Sequence, residues 1–173
     1  MGVRVLVAVA SRHGSTREIG EAVAAGLRAR GCEVDVLDVL DADAARCDVS
    51  AYDVAVIGSA VYTGHWLPAA RSFVADNSTA LAERPVWLFS SGLATQPAAA
   101  ANSPHEVAAV AAGINARGHR SFRGKLDREV LSFAERAIIA GARGRDGDHR
   151  DFGAVAAWTA TIADDLATRF SAV

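Results

Sequence analysis

Ser11, Ser15 and Thr16 put three hydroxyls within six residues, with Arg12, His13 and Gly14 among them. Hydroxyl donors around a glycine suit a phosphate: the glycine lets the backbone approach closely, and the hydroxyls donate to the phosphate oxygens. The match improves if a helix starts here, because the first N–H groups of a helix lack intrahelical partners and its dipole favours an anion. The segment reads as a nest for a terminal phosphate. Other phosphate loops are excluded by residue type. A P-loop needs a lysine, and none stands here. A Rossmann turn needs GxGxxG, and this turn holds one glycine. A receiver domain needs clustered acids after the first strand and an aspartate after the third, where this chain has Ala10-Ser11 and Ser59-Ala60. A capping box closing on Glu18 accounts for one or two of the hydroxyls, not for the set.

The elements around this turn follow from periodicity. Residues 3–10 (VRVLVAVA) form a near-continuous apolar run, as in a strand covered on both faces. Ile19, Val23 and Leu27 recur at spacing four, which predicts a helix over 16–30 closed by Gly31. Strands are predicted at 33–39, 53–60, 85–91 and 119–125. Further helices are predicted at 66–77, with Pro68 in the first turn, and at 104–116, 127–142 and 153–170. A loop at 92–103 and a charged loop at 144–151 complete the chain. Strands alternating with helices imply one doubly wound α/β domain over 1–173, with a five-stranded parallel sheet, strand order 2-1-3-4-5 and helices on both faces. Ligands of such a sheet bind beyond the carboxyl ends of its strands. The turns to inspect are therefore 11–16, 58–66 and 90–95.

Composition narrows the function. A net charge of −2 over 173 residues offers no basic field for nucleic acid. Cys32 and Cys47 form no CxxC pair and stand apart from any histidine cluster, so they read as reduced thiols, and no metal site is expected. The apolar run near the N-terminus is too short for a signal peptide or a membrane span, and the expected location is the cytoplasm.

With these motifs in place, the chain resembles the flavodoxin superfamily. The resemblance rests on the hydroxyl-x-x-Gly-x-Thr loop after the first strand and on the element order. Within the superfamily the chain is similar to the flavodoxin-like, menaquinone-dependent protoporphyrinogen dehydrogenases. Residues 11–19 (SRHGSTREI) follow that family's first motif and residues 58–65 (GSAVYTGH) its second. An extra helical segment at about 127–143 also fits.

The resemblance implies FMN as cofactor. Its phosphate would be held by Ser11, Arg12, His13, Gly14, Ser15 and Thr16. The isoalloxazine would lie against Ala60, Val61, Tyr62, Thr63 and Gly64, with Tyr62 as the stacking group. Ser91, Gly92 and Leu93 would make backbone contacts from the other side. The loop after the fourth strand has no aromatic residue in 90–95, which departs from ordinary flavodoxins. His65 is a candidate proton donor, but no catalytic residue is assigned. The basic stretch 117–125, with Arg120, Arg123 and Lys125, reads either as a solvated edge strand or as a docking surface for a carboxylated substrate. Val130, Leu131, Phe133, Ala134, Ile138 and Ile139 read as core packing or as a quinone- or membrane-facing surface. The activity implied is an FMN oxidoreductase acting on a quinone or a larger conjugated, tetrapyrrole-like substrate. A one-electron carrier and a non-catalytic flavin-binding regulator stay open, as do a protein redox partner, peripheral membrane contact and a homodimer.

Overall fold

The computed structural model describes residues 2–92, 105–126, 133, 135–137 and 147–171. The apolar runs form strands β1 (Arg4–Ala10), β3 (Val54–Tyr62) and β5 (Val86–Gly92), buried along nearly their whole length. Such runs are stable only in the middle of a sheet covered on both faces. β2 (Glu33–Asp38) and β6 (Gly118–Arg123), which carry charged and exposed residues among their apolar ones, take the edges.

The sheet order is β2-β1-β3-β5-β6, with every neighbour parallel. This is the predicted 2-1-3-4-5 order, with one short strand added between the third and fourth. That strand, β4 (His65–Trp66), folds back antiparallel on the end of β3. A second small ladder joins β7 (Lys125–Leu126) to β8 (Gly147–Asp148).

Helices cover both faces. On one face α1 (Ser15–Arg28) and α5 (Phe152–Phe170) bury Ile19, Val23, Leu27, Ile162 and Leu166 against Val5, Val7, Val54 and Val56. Phe89, Phe122 and Trp158 meet edge-to-face in this layer, with centroids 5.6–6.1 Å apart. On the other face α2 (Pro68–Asp76), α3 (Ser78–Ala82) and α4 (His105–Gly113) pack Phe73, Val74, Leu81 and Val107 onto Leu6, Ala8, Ile57 and Leu88.

Trp66 does not start α2 as its helical spacing suggests. It is buried on β4, and the helix begins at Pro68, whose fixed φ suits a first turn. Of the helix predicted at 127–142, Phe133 and residues 135–137 are described, and they are helical. The rest of that segment lies outside the described residues, as does most of the predicted 92–103 loop.

Candidate functional site

The carboxyl ends of β1, β3 and β5 bring three turns to one edge of the sheet. The first leads into α1. Gly14 sits at φ 86°, a left-handed conformation that glycine adopts without a Cβ clash, and no side chain caps the helix. The capping-box alternative therefore fails, and the Glu18 carboxylate instead receives a bond from Arg150. Thr16 is only 2% exposed and Ser11 7%, yet neither hydroxyl has a hydrogen-bond partner among the described residues. A buried hydroxyl without a partner is costly. Here two of them stand beside the free N–H groups of a helix start.

The second turn is a two-residue hairpin. Val61 pairs with Trp66 and Tyr62 with His65, which leaves Thr63 and Gly64 at the tip with φ 49° and 78°. Two positive φ values define a type I′ turn, and a β-branched residue seldom occupies one. The Thr63 hydroxyl donates to the Tyr62 carbonyl at 2.8 Å. Glu106 of α4 ties the returning strand down. Its carboxylate accepts the Trp66 N–H at 2.7 Å and lies 3.1 Å from His65 Nδ1. Desolvation acts to raise the Glu106 pKa, but these two bonds and the nearby Arg71 outweigh it and the net shift is downward. His65 is thus bound to the hairpin's own support.

Beneath the hairpin runs a buried polar chain. The Trp66 indole N–H donates to Ser90 Oγ at 2.8 Å, and Ser90 Oγ lies 2.7 Å from His119 Nε2. The Ser90 hydroxyl, which accepts the indole N–H, is thereby linked to the His119 ring as well. Burial lowers the His119 pKa. Ser59 Oγ accepts the Leu67 N–H at 3.0 Å and donates to the Ala60 carbonyl at 2.8 Å.

Tyr62 joins the first two turns. The Arg12 guanidinium lies 5.2 Å from the centre of its ring, and His13 meets it edge-on at 6.5 Å. Burial raises the phenol pKa and the Glu135 charge adds to this, while Arg12 opposes it. The side chains of Arg12 and His13 reach beyond the turn to Glu135, at 2.8 and 3.0 Å. In the third turn, Ser91 and Gly92 end β5; Leu93 lies outside the described residues. A Cβ on Gly124 would overlap the Gly92 carbonyl, so the end of β5 and the β6–β7 link touch backbone to backbone.

No motif in the sequence announces the clasp that supports the first turn. The Lys125 N–H donates to Ser15 Oγ at 3.2 Å. Arg150 is nearly buried against Phe152, grips Asp148 through two nitrogens at 2.7 and 2.8 Å, and reaches Glu18 and the Ser15 carbonyl. These bonds pull the Asp148 pKa down to about 2. Arg120 and Arg123 lie on opposite faces of β6, opposite Phe89 and Gly92 respectively.

Residues 6–151 match the flavodoxin domain family. The chain belongs to that family. Solved structures agree on the fold. A rubredoxin oxygen:oxidoreductase from Desulfovibrio gigas superposes with a TM-score of 0.62 at 15% identity, covering 96% of this chain and 37% of that one. This flavodoxin domain therefore spans little more than a third of that protein's length. A single-site mutant of the Pseudomonas aeruginosa flavodoxin gives 0.59 at 13% identity, with 95% and 99% of the two chains covered. A Streptococcus pneumoniae flavodoxin gives 0.52 at 21%, with 82% and 99% covered. No curated protein matches the chain. FMN, the cofactor implied by the resemblance, is the cofactor that goes with this family. The residues present fit it: the helix start is uncapped, two buried hydroxyls beside it lack partners among the described residues, and an aromatic ring stands at the neighbouring turn. Among the described residues no His, Cys, Asp or Glu cluster could hold a metal ion, and no helix is long and apolar enough to cross a membrane.

Proposed function

We propose that this flavodoxin domain is an FMN-dependent oxidoreductase of the quinone-linked protoporphyrinogen dehydrogenase type. The observation that carries the cofactor half is the buried Thr16 hydroxyl, unpartnered among the described residues, at the uncapped start of α1. Thr16, Ser11 and the N–H groups of the first helical turn hold the phosphate. The hairpin backbone of 60–64 orients the ring system, with Ser91 and Gly92 contributing from the end of β5. FMN supplies the electron-pair chemistry, and the chain supplies position, desolvation and hydrogen bonds.

The enzyme half is supported by the segments beyond β6. Lys125, Glu135 and Arg150 all return to the first turn, which builds extra protein around the cofactor mouth. A carrier that docks on a basic reductase gains from a strong acidic field, and a net charge of −2 supplies little of it. The substrate is then a small conjugated molecule, a quinone or a tetrapyrrole-like compound.

Two experiments test the two halves. The purified protein should take up FMN stoichiometrically and bind riboflavin far more weakly, since riboflavin lacks the phosphate. Equal affinities overturn the cofactor site. The FMN-loaded protein should oxidise protoporphyrinogen with a menaquinone analogue and titrate in a single two-electron step. Two resolved one-electron steps without turnover favour a carrier.

A further inference from the structure

Arg12 and His13 each take a different oxygen of the Glu135 carboxylate, at 2.8 and 3.0 Å. The pairing spans more than 120 residues of sequence, so helix or turn geometry does not impose it. Both basic groups also touch the Tyr62 ring, one through its guanidinium and the other edge-on. The arrangement is a two-point carboxylate grip with an aromatic wall, beside the turn that would receive the flavin.

We propose that Arg12, His13 and Tyr62 form a binding site for a planar aromatic carboxylic acid, and that Glu135 fills its carboxylate position in the free protein. The proposal deepens the flavoenzyme reading above and rests on it for placing the site next to the cofactor. It also moves the anion-binding role away from Arg120 and Arg123, which point to opposite faces of β6 and cannot converge on one substrate.

Energetics allow the exchange. The Arg12 side chain is 51% exposed, which screens its side of the pair, while His13 and Glu135 are more enclosed at 24% and 12%. An incoming carboxylate takes over the Arg12 and His13 contacts that Glu135 makes. What the ligand adds is ring contact with Tyr62. What opposes it is tethering: Glu135 belongs to the same chain, and a tethered group competes as if present at millimolar concentration. Removing its charge therefore exposes the intrinsic affinity of the site.

The probe pair is 2-naphthoate and its uncharged analogue 2-naphthamide, titrated calorimetrically into the FMN-loaded protein. 2-Naphthoate should bind Glu135→Gln at least about tenfold more tightly than wild type. Adding Arg12→Gln should bring it down to the level of 2-naphthamide, whose binding should ignore position 135. Equal affinity of 2-naphthoate for wild type and Glu135→Gln overturns the proposal. If Glu135→Gln does not fold, the wild type decides: 2-naphthoate must outbind 2-naphthamide, and parity overturns the site. The same titrations on protein without flavin separate the two readings. A chain that takes no FMN but shows the gain keeps this site and loses the flavin reading. A chain that takes FMN without the gain loses only this site.

Discussion

Replacing Thr16 with valine removes one hydroxyl and keeps the shape. Both side chains are β-branched and have similar helix propensities, so α1 itself is hardly disturbed. Thr16 is 2% exposed, and its hydroxyl has no partner among the described residues. Its burial is a cost, and valine relieves it. Apoprotein stability should hold or rise by about 1 kcal/mol, a Tm gain of roughly 2–4 °C for a chain of this size. With FMN bound the same hydroxyl donates to a charged phosphate, a bond worth about 1.5–3 kcal/mol. Its loss should weaken FMN binding by roughly 10- to 150-fold. The two effects have opposite signs, and a general packing defect cannot reproduce that. Quenching of flavin fluorescence gives the affinity, and calorimetric melting of the apoprotein gives the stability. Unchanged FMN affinity refutes the phosphate role. So does an apoprotein destabilised by as much as the binding is weakened.

Gly58→Ala should destabilise the fold by about 3 kcal/mol, a Tm fall on the order of 10 °C, because the added Cβ would overlap the ring of Phe89, which Phe122 and Trp158 hold in place; a melting curve checks it. His119 is held below its ordinary pKa of 6.5 by burial, so the unfolded chain binds the extra proton and stability falls as pH drops below that value. Denaturant unfolding should show this slope as pH falls below 6.5 in the wild type and lose it in His119→Gln. Asp148 titrates at about 2 rather than 3.8 because Arg150 bonds it, so its contribution is complete above 3.8 and disappears as pH falls toward 2. In Asp148→Asn that part of the acid limb should flatten, measured by the same unfolding curves.

The sheet was readable because its signal is dense. Three consecutive apolar runs cannot be satisfied at an edge or on a surface, so they had to be β1, β3 and β5, and their ends had to face the site. The α1 stripe of Ile19, Val23 and Leu27 was readable for the same reason. The β3–β4 hairpin was not. A type I′ turn is usually announced by Asn-Gly or Asp-Gly, and here Thr63-Gly64 makes the turn with a residue that resists the conformation. Trp66 has helical spacing in the sequence, but its place is set by bonds to Ser90 and Glu106, two residues remote in sequence. The β7–β8 ladder has two residues per strand, too few for any period. The hydroxyl cluster at 11–16 was recognised by residue type. The side-chain directions of Arg12 and His13 were not, since they are set by Glu135.

The first turn lies within the first sixteen residues of the chain, yet the groups that brace it arrive last: Lys125 and Arg150 lie 110 and 135 positions beyond Ser15. Bringing such distant segments together carries a loop-closure entropy that grows with separation, and it is offset only when the intervening strands are already paired. On a ribosome, the turn would be synthesised long before its braces. Flavin capture then becomes a late event that comes after completion of the sheet, and the fluorescence change it produces can serve as a clock for the final stage of folding.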